Sequence, residues 1–226
     1  MRPLVSLLLL LVCAGAAAQR SGLEYASPEI RRMQQSDVEN PGMLWVDAGE
    51  KLFAERCRSC HESMKGVAPR YPRVASGKVI TLDAMLRHRE PFAWESDELL
   101  SLSAYVAYQS RGLPIGRHLS AAEVERGRSE YFRRRGQMNL ACANCHDANA
   151  GKRIGGETIS EGQPNGYPTY RLRWQTLGSL ERRLRACFSG IHAEMPPYGD
   201  PLLADLAAYL AWRGRGLPVE APAVRP

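Results

Sequence analysis

The apolar positions of the chain predict two similar amphipathic helices, one in each half. Apolar residues recur with i, i+3, i+7 spacing, at Leu99, Leu102 and Val106 in the first half and at Leu203, Leu206 and Leu210 in the second. This spacing places three side chains on one helical face, so each stripe is expected to pack on a core. Ser96 or Asp97 is expected to cap the first helix, and Asp200 followed by a proline to begin the second.

The two helices belong to an internal repeat. Residues 102–108 recur as 206–212, and residues 111–115 recur as 215–219, each 104 positions later. The second repeated segment contains Gly-Leu-Pro in both copies, a sequence that ends a helix. The sequence therefore predicts a duplicated structural unit.

A glycine and an aromatic residue also stand four positions apart in each half, at Gly49 and Phe53 and at Gly127 and Tyr131. Glycine permits two backbones to approach closely, and an aromatic side chain four residues later lies on the same helical face. We expect these pairs to cross the helices that carry Tyr105 and Tyr209.

The first residues are typical of a secretory signal peptide. Arg2 is followed by an apolar run from Leu4 to Cys13 and then by three alanines at 16–18. We expect residues 1–18 to be removed on export to the periplasm. Val12 is bulkier than the residue that normally precedes a lipoprotein cysteine, which disfavours an anchor at Cys13. The apolar run is too short to span a bilayer, and no membrane span is predicted after it.

The chain is basic, with a formal net charge of +6. Basic runs at 133–135 and 182–183 indicate an affinity for anions or for an acidic partner protein, although a solvated surface also explains the first run. No nucleic-acid-binding motif accompanies them, so nucleic acid is not the expected ligand.

Two Cys-x-x-Cys-His pentads dominate the candidate chemistry. In such a pentad the two thiols form thioethers with a haem, and the histidine ligates the iron. A structural zinc site needs a fourth ligand near each pentad and does not require histidine directly after the second cysteine. The sequence therefore predicts two covalent c-type haems, attached through Cys57, Cys60, Cys142 and Cys145, with His61 and His146 as axial ligands.

Each half then consists of a helix, a pentad, loops and a final helix, which is the plan of a class I cytochrome c domain. We predict a mainly α-helical protein with two tandem cytochrome c domains at residues 19–116 and 123–226. A linker is expected at 117–122.

The second axial ligand of the first haem is expected to be His88. It lies on a helix predicted at 81–89, and Met64 and Met85 are the other candidates before the final helix of that half. His88 gives bis-histidine coordination, whereas a surface histidine is the simpler alternative.

Three residues are candidates for the second axial ligand of the second haem: Cys187, His192 and Met195. Met195 precedes a proline and the final helix, like the methionine ligand of ordinary class I cytochromes, and His192 follows His88 by 104 positions. Cys187 has no disulfide partner once the other four cysteines of the mature chain form thioethers. A thiolate lowers the potential of haem iron, whereas methionine raises it.

Cys187 lies on a helix predicted at 180–188. Arg183 precedes it by one turn, so the two side chains share a face. The positive charge of Arg183 there favours the thiolate form of Cys187.

Six longer stretches carry a family resemblance, at residues 40–46, 70–72, 108–114, 135–140, 162–171 and 177–187. They resemble SoxA, the dihaem subunit of the SoxAX cytochrome of bacterial thiosulfate oxidation. The most specific stretch is Leu-Gly-Ser-Leu-Glu-Arg-Arg-Leu-Arg-Ala-Cys at 177–187, and the similarity runs from about residue 21 to the end.

The resemblance implies a role for Cys187. In SoxA the matching cysteine ligates the second haem, carries a persulfide sulfur, and lies where thiosulfate is joined to a carrier cysteine. By the same likeness Arg183 and Arg213 hold the sulfonate oxygens, because a guanidinium donates two hydrogen bonds to adjacent anionic oxygens. His192 belongs to the same substrate-binding set.

The implied activity is that of an L-cysteine S-thiosulfotransferase subunit. Joining thiosulfate to a thiol releases two electrons, and each of two haems accepts one. The resemblance implies a SoxX-like monohaem cytochrome and a SoxYZ-like carrier protein as partners.

The chain differs from the usual SoxA pattern at three positions. His88 stands where a cysteine is common, His192 where an arginine is common, and Met195 where a proline is common. A thiosulfate dehydrogenase that forms tetrathionate, and an electron carrier without catalysis, are therefore the alternative functions.

Overall fold

The computed structural model describes residues 19–226, and the predicted signal peptide at 1–18 lies outside the described residues. Within residues 19–226 the chain forms α1 (Pro28–Gln35), α2 (Met43–Arg56), α3 (Leu82–Arg89), α4 (Asp97–Tyr108), α5 (Glu125–Phe132), α6 (Cys142–His146), α7 (Leu180–Gly190) and α8 (Pro201–Arg213). Short 3-10 helices form at Gly22–Tyr25 and Ala68–Arg70. The described chain is mainly helical, as the sequence predicts.

Short strands connect the helices. They are β1 (Arg73–Ala75), β2 (Lys78–Ile80), β3 (Arg153–Ile154), β4 (Glu157–Thr158), β5 (Thr169–Arg171), β6 (Thr176–Gly178) and β7 (Ala223–Arg225). β1 pairs with β2 and β3 with β4, in two antiparallel hairpins. β5 lies between β6, to which it is antiparallel, and β7, to which it is parallel.

Strands β1 to β6 lie between the pentads and the final helices, where the sequence predicts loops. Each strand has only two or three residues, so the alternation of apolar and polar positions that identifies a strand does not develop. The buried strand β5 contains the charged residue Arg171, so the pattern of apolar residues does not identify this strand as part of the core.

The two predicted helix crossings are confirmed. A Cβ on Gly49 of α2 would lie 2.0 Å from the carbonyl oxygen of Ser101 in α4, and a Cβ on Gly127 of α5 would lie 1.9 Å from that of Asp205 in α8. No side chain fits at such a distance, so only glycine allows the helices to touch. Ser101 and Asp205 are 104 positions apart, so the second crossing repeats the first.

Aromatic residues and the apolar stripes fill the space around each crossing. The ring centroids of Phe53 and Tyr105 are 5.4 Å apart, and those of Tyr131 and Tyr209 are 5.1 Å apart. The predicted stripe residues are all buried: Leu99, Leu102, Val106, Leu203, Leu206 and Leu210.

Side-chain caps define the helices that the sequence predicted. An oxygen on the residue before each helix accepts a backbone N–H of its first turn: Ser96 from Leu99, Asp200 from Leu202, Thr81 from Ala84 and Ser179 from Arg182. Such a cap stabilises a helix by about 1 kcal/mol. α3 and α7 therefore begin where the sequence places them.

The two repeated segments that contain Gly-Leu-Pro pair with each other. The N–H of Ile115 donates to the Leu217 carbonyl at 3.0 Å, and the N–H of Gly216 donates back to the Ile115 carbonyl at 2.9 Å. Val219 and Leu113 continue the pairing at 2.9 Å. Equivalent parts of the repeat thus join the two halves of the chain.

A cavity of about 110 Å³ lies between the halves and has carboxylates in its wall. Ser103 of α4 donates to Asp83 of α3 at 2.7 Å, and the backbone N–H of Gly199 donates to Glu181 of α7 at 2.8 Å. Burial raises the pKa of Asp83 to about 6. Burial also raises the pKa of Glu181 to about 7, despite the Gly199 hydrogen bond.

None of the helices within residues 19–226 is long and apolar enough to cross a membrane.

Candidate functional site

The second pentad forms a short helix of its own, α6, which hydrogen bonds hold in place. Asn144 accepts the backbone N–H of Ala141 at 2.8 Å, which closes the first turn. The Tyr131 hydroxyl of α5 donates to Asp147 at 2.7 Å, directly after the pentad. Cys142, Cys145 and His146 are thus fixed against the crossing of α5 and α8.

The ring of His146 is oriented on two sides. Its Nδ1 lies 2.7 Å from the carbonyl oxygen of Ser160, which can only accept, so Nδ1 carries the proton. A Cβ on Gly162 would lie 3.0 Å from the ring, so the backbone of Gly162 forms a cradle that a side chain would fill. Nε2 is therefore the nitrogen left to bind a metal, as in a histidine ligand with a carbonyl partner.

α7 brings the thiol of Cys187 to the ring of His146. Burial raises the pKa of Cys187, but the neighbouring His146 and the positive charges of Arg183 and Arg171 outweigh burial and lower it. The environment of Cys187 therefore stabilises the thiolate, which is the form that ligates metals and attacks sulfur.

Cys142 lies near the same thiol. Burial raises the pKa of Cys142 to about 11, and the neighbouring Cys187 adds to the rise. One cysteine of the pentad, its histidine and the unpaired cysteine thus converge from α6 and α7.

This arrangement fits a c-type haem. Cys142 and Cys145 would hold the porphyrin, and His146 and Cys187 would ligate the iron. A crevice of about 390 Å³ is lined in part by Arg135, Phe188 and Met195, and Phe188 directly follows Cys187 in the chain. Of the three candidates for the second axial position, Cys187 is the one whose pKa His146 lowers, which places its sulfur near that ring.

Arg183 lies beside Cys187, as the helical spacing predicts. Burial lowers the pKa of Arg183, but the nearby Cys187, Tyr167 and Glu157 outweigh burial and raise it. No salt bridge among residues 19–226 involves Arg183. Its guanidinium is thus charged, next to the thiol, and available to an anion.

Arg171 is a second charge at this site that the sequence analysis did not single out. It acts on Cys187 from β5 although it is sixteen positions earlier in the chain. The only available signal was its place at the end of the stretch 162–171, because no helical spacing relates Arg171 to Cys187.

The other predicted substrate residues, Arg213 and His192, and the alternative ligand Met195 lie in different surroundings. Arg213 donates to Asp147 at 2.6 Å and to the carbonyl of Glu161 at 2.9 Å, so its guanidinium is already engaged. His192 is exposed and has a positive φ of 56°. Met195 is 47% exposed at the crevice.

The first pentad lies at the end of α2. Cys60 and His61 are exposed, and Cys57 packs against the core. Arg56 forms a 3.0 Å salt bridge with Glu90, which follows His88 by two residues. Burial, followed by the charge of Glu90, raises the pKa of Cys57. The pentad and the end of α3 thus lie side by side, with His88 exposed on α3.

Comparison with known proteins assigns this fold to a family. The family model described as the SoxA/TsdA cytochrome c domain matches residues 44–115, which include the first pentad. The structure is similar to a chain of SoxXA from Paracoccus pantotrophus, with a TM-score of 0.85 and 32% sequence identity over 92% of this chain and 87% of that one.

Two relatives are similar over most of their length. The L-cysteine S-thiosulfotransferase subunit SoxA of Pseudaminobacter salicylatoxidans is 36% identical, over 91% of this chain and 80% of the relative. The subunit of the same name from Paracoccus pantotrophus is 34% identical, over 91% of this chain and 78% of the relative.

Proposed function

Because this chain belongs to the SoxA family, we propose that it is a dihaem subunit of an L-cysteine S-thiosulfotransferase. Its two cytochrome c domains comprise residues 19–116 and 123–226, with a linker at 117–122. The matched family domain supports the first, and the repeated glycine crossing supports the second.

The two proposed haem sites would differ in the residues that ligate the iron. Cys57 and Cys60 would hold the first haem, and His61 and His88 would ligate its iron; Cys142 and Cys145 would hold the second haem. The proximity of His146 and Cys187 carries the proposal, because it brings together a nitrogen and a sulfur with a lowered pKa from two different helices. Each bound haem supplies one-electron acceptance when in place.

The reaction joins the outer sulfur of thiosulfate to the thiol of a carrier cysteine. One S–S bond forms, the thiol proton is lost, and two electrons are released, which matches the capacity of two haems. Cys187 is the catalytic residue, because its environment favours the thiolate and its sulfur would ligate the iron of the second haem. Oriented charge at the site lowers the repulsion between the two sulfur anions that must meet.

Arg183 is the principal substrate-binding residue. It is charged and free of salt bridges within the described chain, so its planar fork can donate two hydrogen bonds to the sulfonate. His192 and Arg213 are weaker members of the set, since His192 is exposed and Arg213 is ion-paired with Asp147.

The proposed setting is the periplasm, reached through the signal peptide at 1–18. A SoxX-like cytochrome is the proposed partner, which the similarity to a chain of SoxXA supports. A SoxYZ-like protein would present the carrier cysteine, to which the thiosulfate is joined.

Conversion of a carrier cysteine tests this function. Purified holoprotein with its partner cytochrome is mixed with thiosulfate and a SoxYZ-type carrier, and the carrier peptide is weighed. We expect the mass of a cysteine thiosulfonate, and we expect Arg183→Gln to lower the yield at least tenfold while Arg183→Lys retains part of it.

Arg185→Gln is the matched control. Arg185 lies on the same helix, but its guanidinium stacks on Tyr198 at 3.9 Å, so its loss should leave the yield unchanged. Tetrathionate without a carrier adduct would instead identify a thiosulfate dehydrogenase. If neither product forms but a partner protein still reduces the haems, the chain would be identified as an electron carrier.

A further inference from the structure

The positive charge of Arg171 is buried and locked by one carboxylate. Its side chain is 4% exposed, and Nη2 lies 2.6 Å from both carboxylate oxygens of Glu157. The Trp174 ring centroid lies 5.2 Å from the guanidinium carbon on another side. Arg171 therefore has little freedom to turn towards solvent.

This ion pair connects the two segments that carry the proposed axial ligands. Glu157 of β4 precedes Ser160, whose carbonyl accepts Nδ1–H of His146. Arg171 of β5 pairs with Thr176 of β6, and β6 leads directly into Ser179, the cap of the helix with Cys187. A change in this ion pair therefore affects both the segment that holds His146 and the segment that leads to Cys187.

The ion pair also lies close to the proposed ligand His146. Glu157 stands three residues before Ser160, whose carbonyl oxygen is 2.7 Å from Nδ1 of His146. Three residues of chain span at most about 11 Å, and the Arg171 guanidinium is 2.6 Å from Glu157. The charge of Arg171 is therefore held near the site.

Arg173 provides an internal comparison. It also contacts Glu157, at 3.2 Å, but its side chain is 65% exposed. Water screens an exposed charge much more than a buried one, so Arg171 has the stronger influence inside the protein.

We propose that Arg171 is a positioning residue for the Cys187 centre, at which its guanidinium, held by Glu157, supplies a fixed positive charge that favours addition of an electron. The proposal rests on the ligation of the second haem by His146 and Cys187. An anionic thiolate stabilises ferric iron, so a nearby buried cation opposes that effect and keeps the centre reducible during sulfur oxidation.

Removing the charge of Arg171 and removing the charge of Glu157 should shift the reduction potential of the second haem in opposite directions. Arg171→Gln removes a positive charge and leaves Glu157, so the reduction potential of the Cys187-ligated haem falls. Glu157→Gln removes the negative charge and leaves Arg171, so the potential rises. Each change is expected to alter the one-electron equilibrium on the order of tenfold, about 59 mV.

Spectroelectrochemistry of the purified holoprotein tests these shifts, with electron paramagnetic resonance identifying the thiolate-ligated haem. Arg171→Lys should restore most of the wild-type potential, the double variant should return close to it, and Arg173→Gln should shift it much less. A purely structural role moves both single variants in the same direction, which would overturn the proposal.

Glu157→Gln keeps the test decisive if Arg171→Gln does not fold, because an unchanged or lowered potential in that variant also refutes the proposal. A wild-type protein without a thiolate signature would overturn the ligation and this inference together. A thiolate signature without opposite shifts would overturn this inference alone.

Discussion

The ring of His146 lies close to the sulfur of Cys187, although the two residues lie on different helices. The carbonyl oxygen of Ser160 accepts a hydrogen bond from Nδ1 of the His146 ring, and the backbone of Gly162 packs against the ring. In the first half, by contrast, His61 and His88 are both exposed. The duplication thus gives two similar scaffolds, and the residues around each pentad make them chemically unlike.

The glycine crossing in the second half predicts a large effect of one methyl group. In Gly127→Ala the new Cβ would meet the Asp205 carbonyl at 1.9 Å, so α5 and α8 must separate. We expect the free energy of unfolding to fall by about 3 kcal/mol, which urea denaturation of the holoprotein measures.

Gly190→Ala is the control for that variant, because within residues 19–226 its added Cβ meets no atom within 4 Å beyond its chain neighbours and its own helix backbone. It should change the unfolding midpoint little. Equal stabilities for the two variants would contradict the close crossing.

These crossings also show which part of the fold the sequence could predict. Gly49 and Gly127 with their aromatic partners, the stripes, and the caps at Ser96 and Asp200 are local patterns with a fixed helical period. The pairing of β5 with β7 is not local, since it joins residues near 170 to residues near 224 through strands too short to show a period.

The buried carboxylate of Glu181 predicts a stability that depends on pH. Its pKa is raised to about 7 in the folded protein, above the ordinary value of 4.5, mainly by burial. The folded state therefore holds the proton more tightly, so this contribution to stability is fully present below pH 4.5 and is lost as the pH rises through 7.

Glu181→Gln removes that dependence while its amide oxygen can still accept the Gly199 N–H. The variant should be more stable than wild type at pH 8, by on the order of 3 kcal/mol, and nearly equal at pH 4.5. Urea midpoints across this range measure the effect. Glu125→Gln on the exposed face of α5 is the control, and parallel curves for Glu181→Gln and wild type would contradict the prediction.

Ligation of the first haem by His88 makes a separate prediction. His88→Ala should remove the bis-histidine signal from the ferric spectrum and shift the potential of that haem, while the second haem keeps its signal. His118→Ala is the control, because the His118 ring instead contacts the Pro72 carbonyl at 3.0 Å. A persistent bis-histidine signal in His88→Ala would exclude His88 as the ligand.

The site was only partly predictable from the sequence. The two Cys-x-x-Cys-His pentads can be recognised from the sequence, and helical spacing is enough to place Arg183 beside Cys187. Ser160, Gly162 and Arg171 reach His146 and Cys187 through loops and strands, so no short period in the sequence relates them. The internal repeat also cannot identify the second axial ligand of the second haem. The duplication favours His192, whereas the position of Cys187 is set by the packing of α7.

The most direct test of the account is the ferric spectrum of Cys187→Ser holoprotein, recorded by electron paramagnetic resonance beside wild type. The account predicts a low-spin thiolate signal in wild type that disappears in Cys187→Ser, with the bis-histidine signal of the first haem unchanged. His192→Ala and Met195→Ala should retain the thiolate signal. A spectrum unaffected by Cys187→Ser, or one altered instead by His192→Ala or Met195→Ala, would contradict ligation by Cys187.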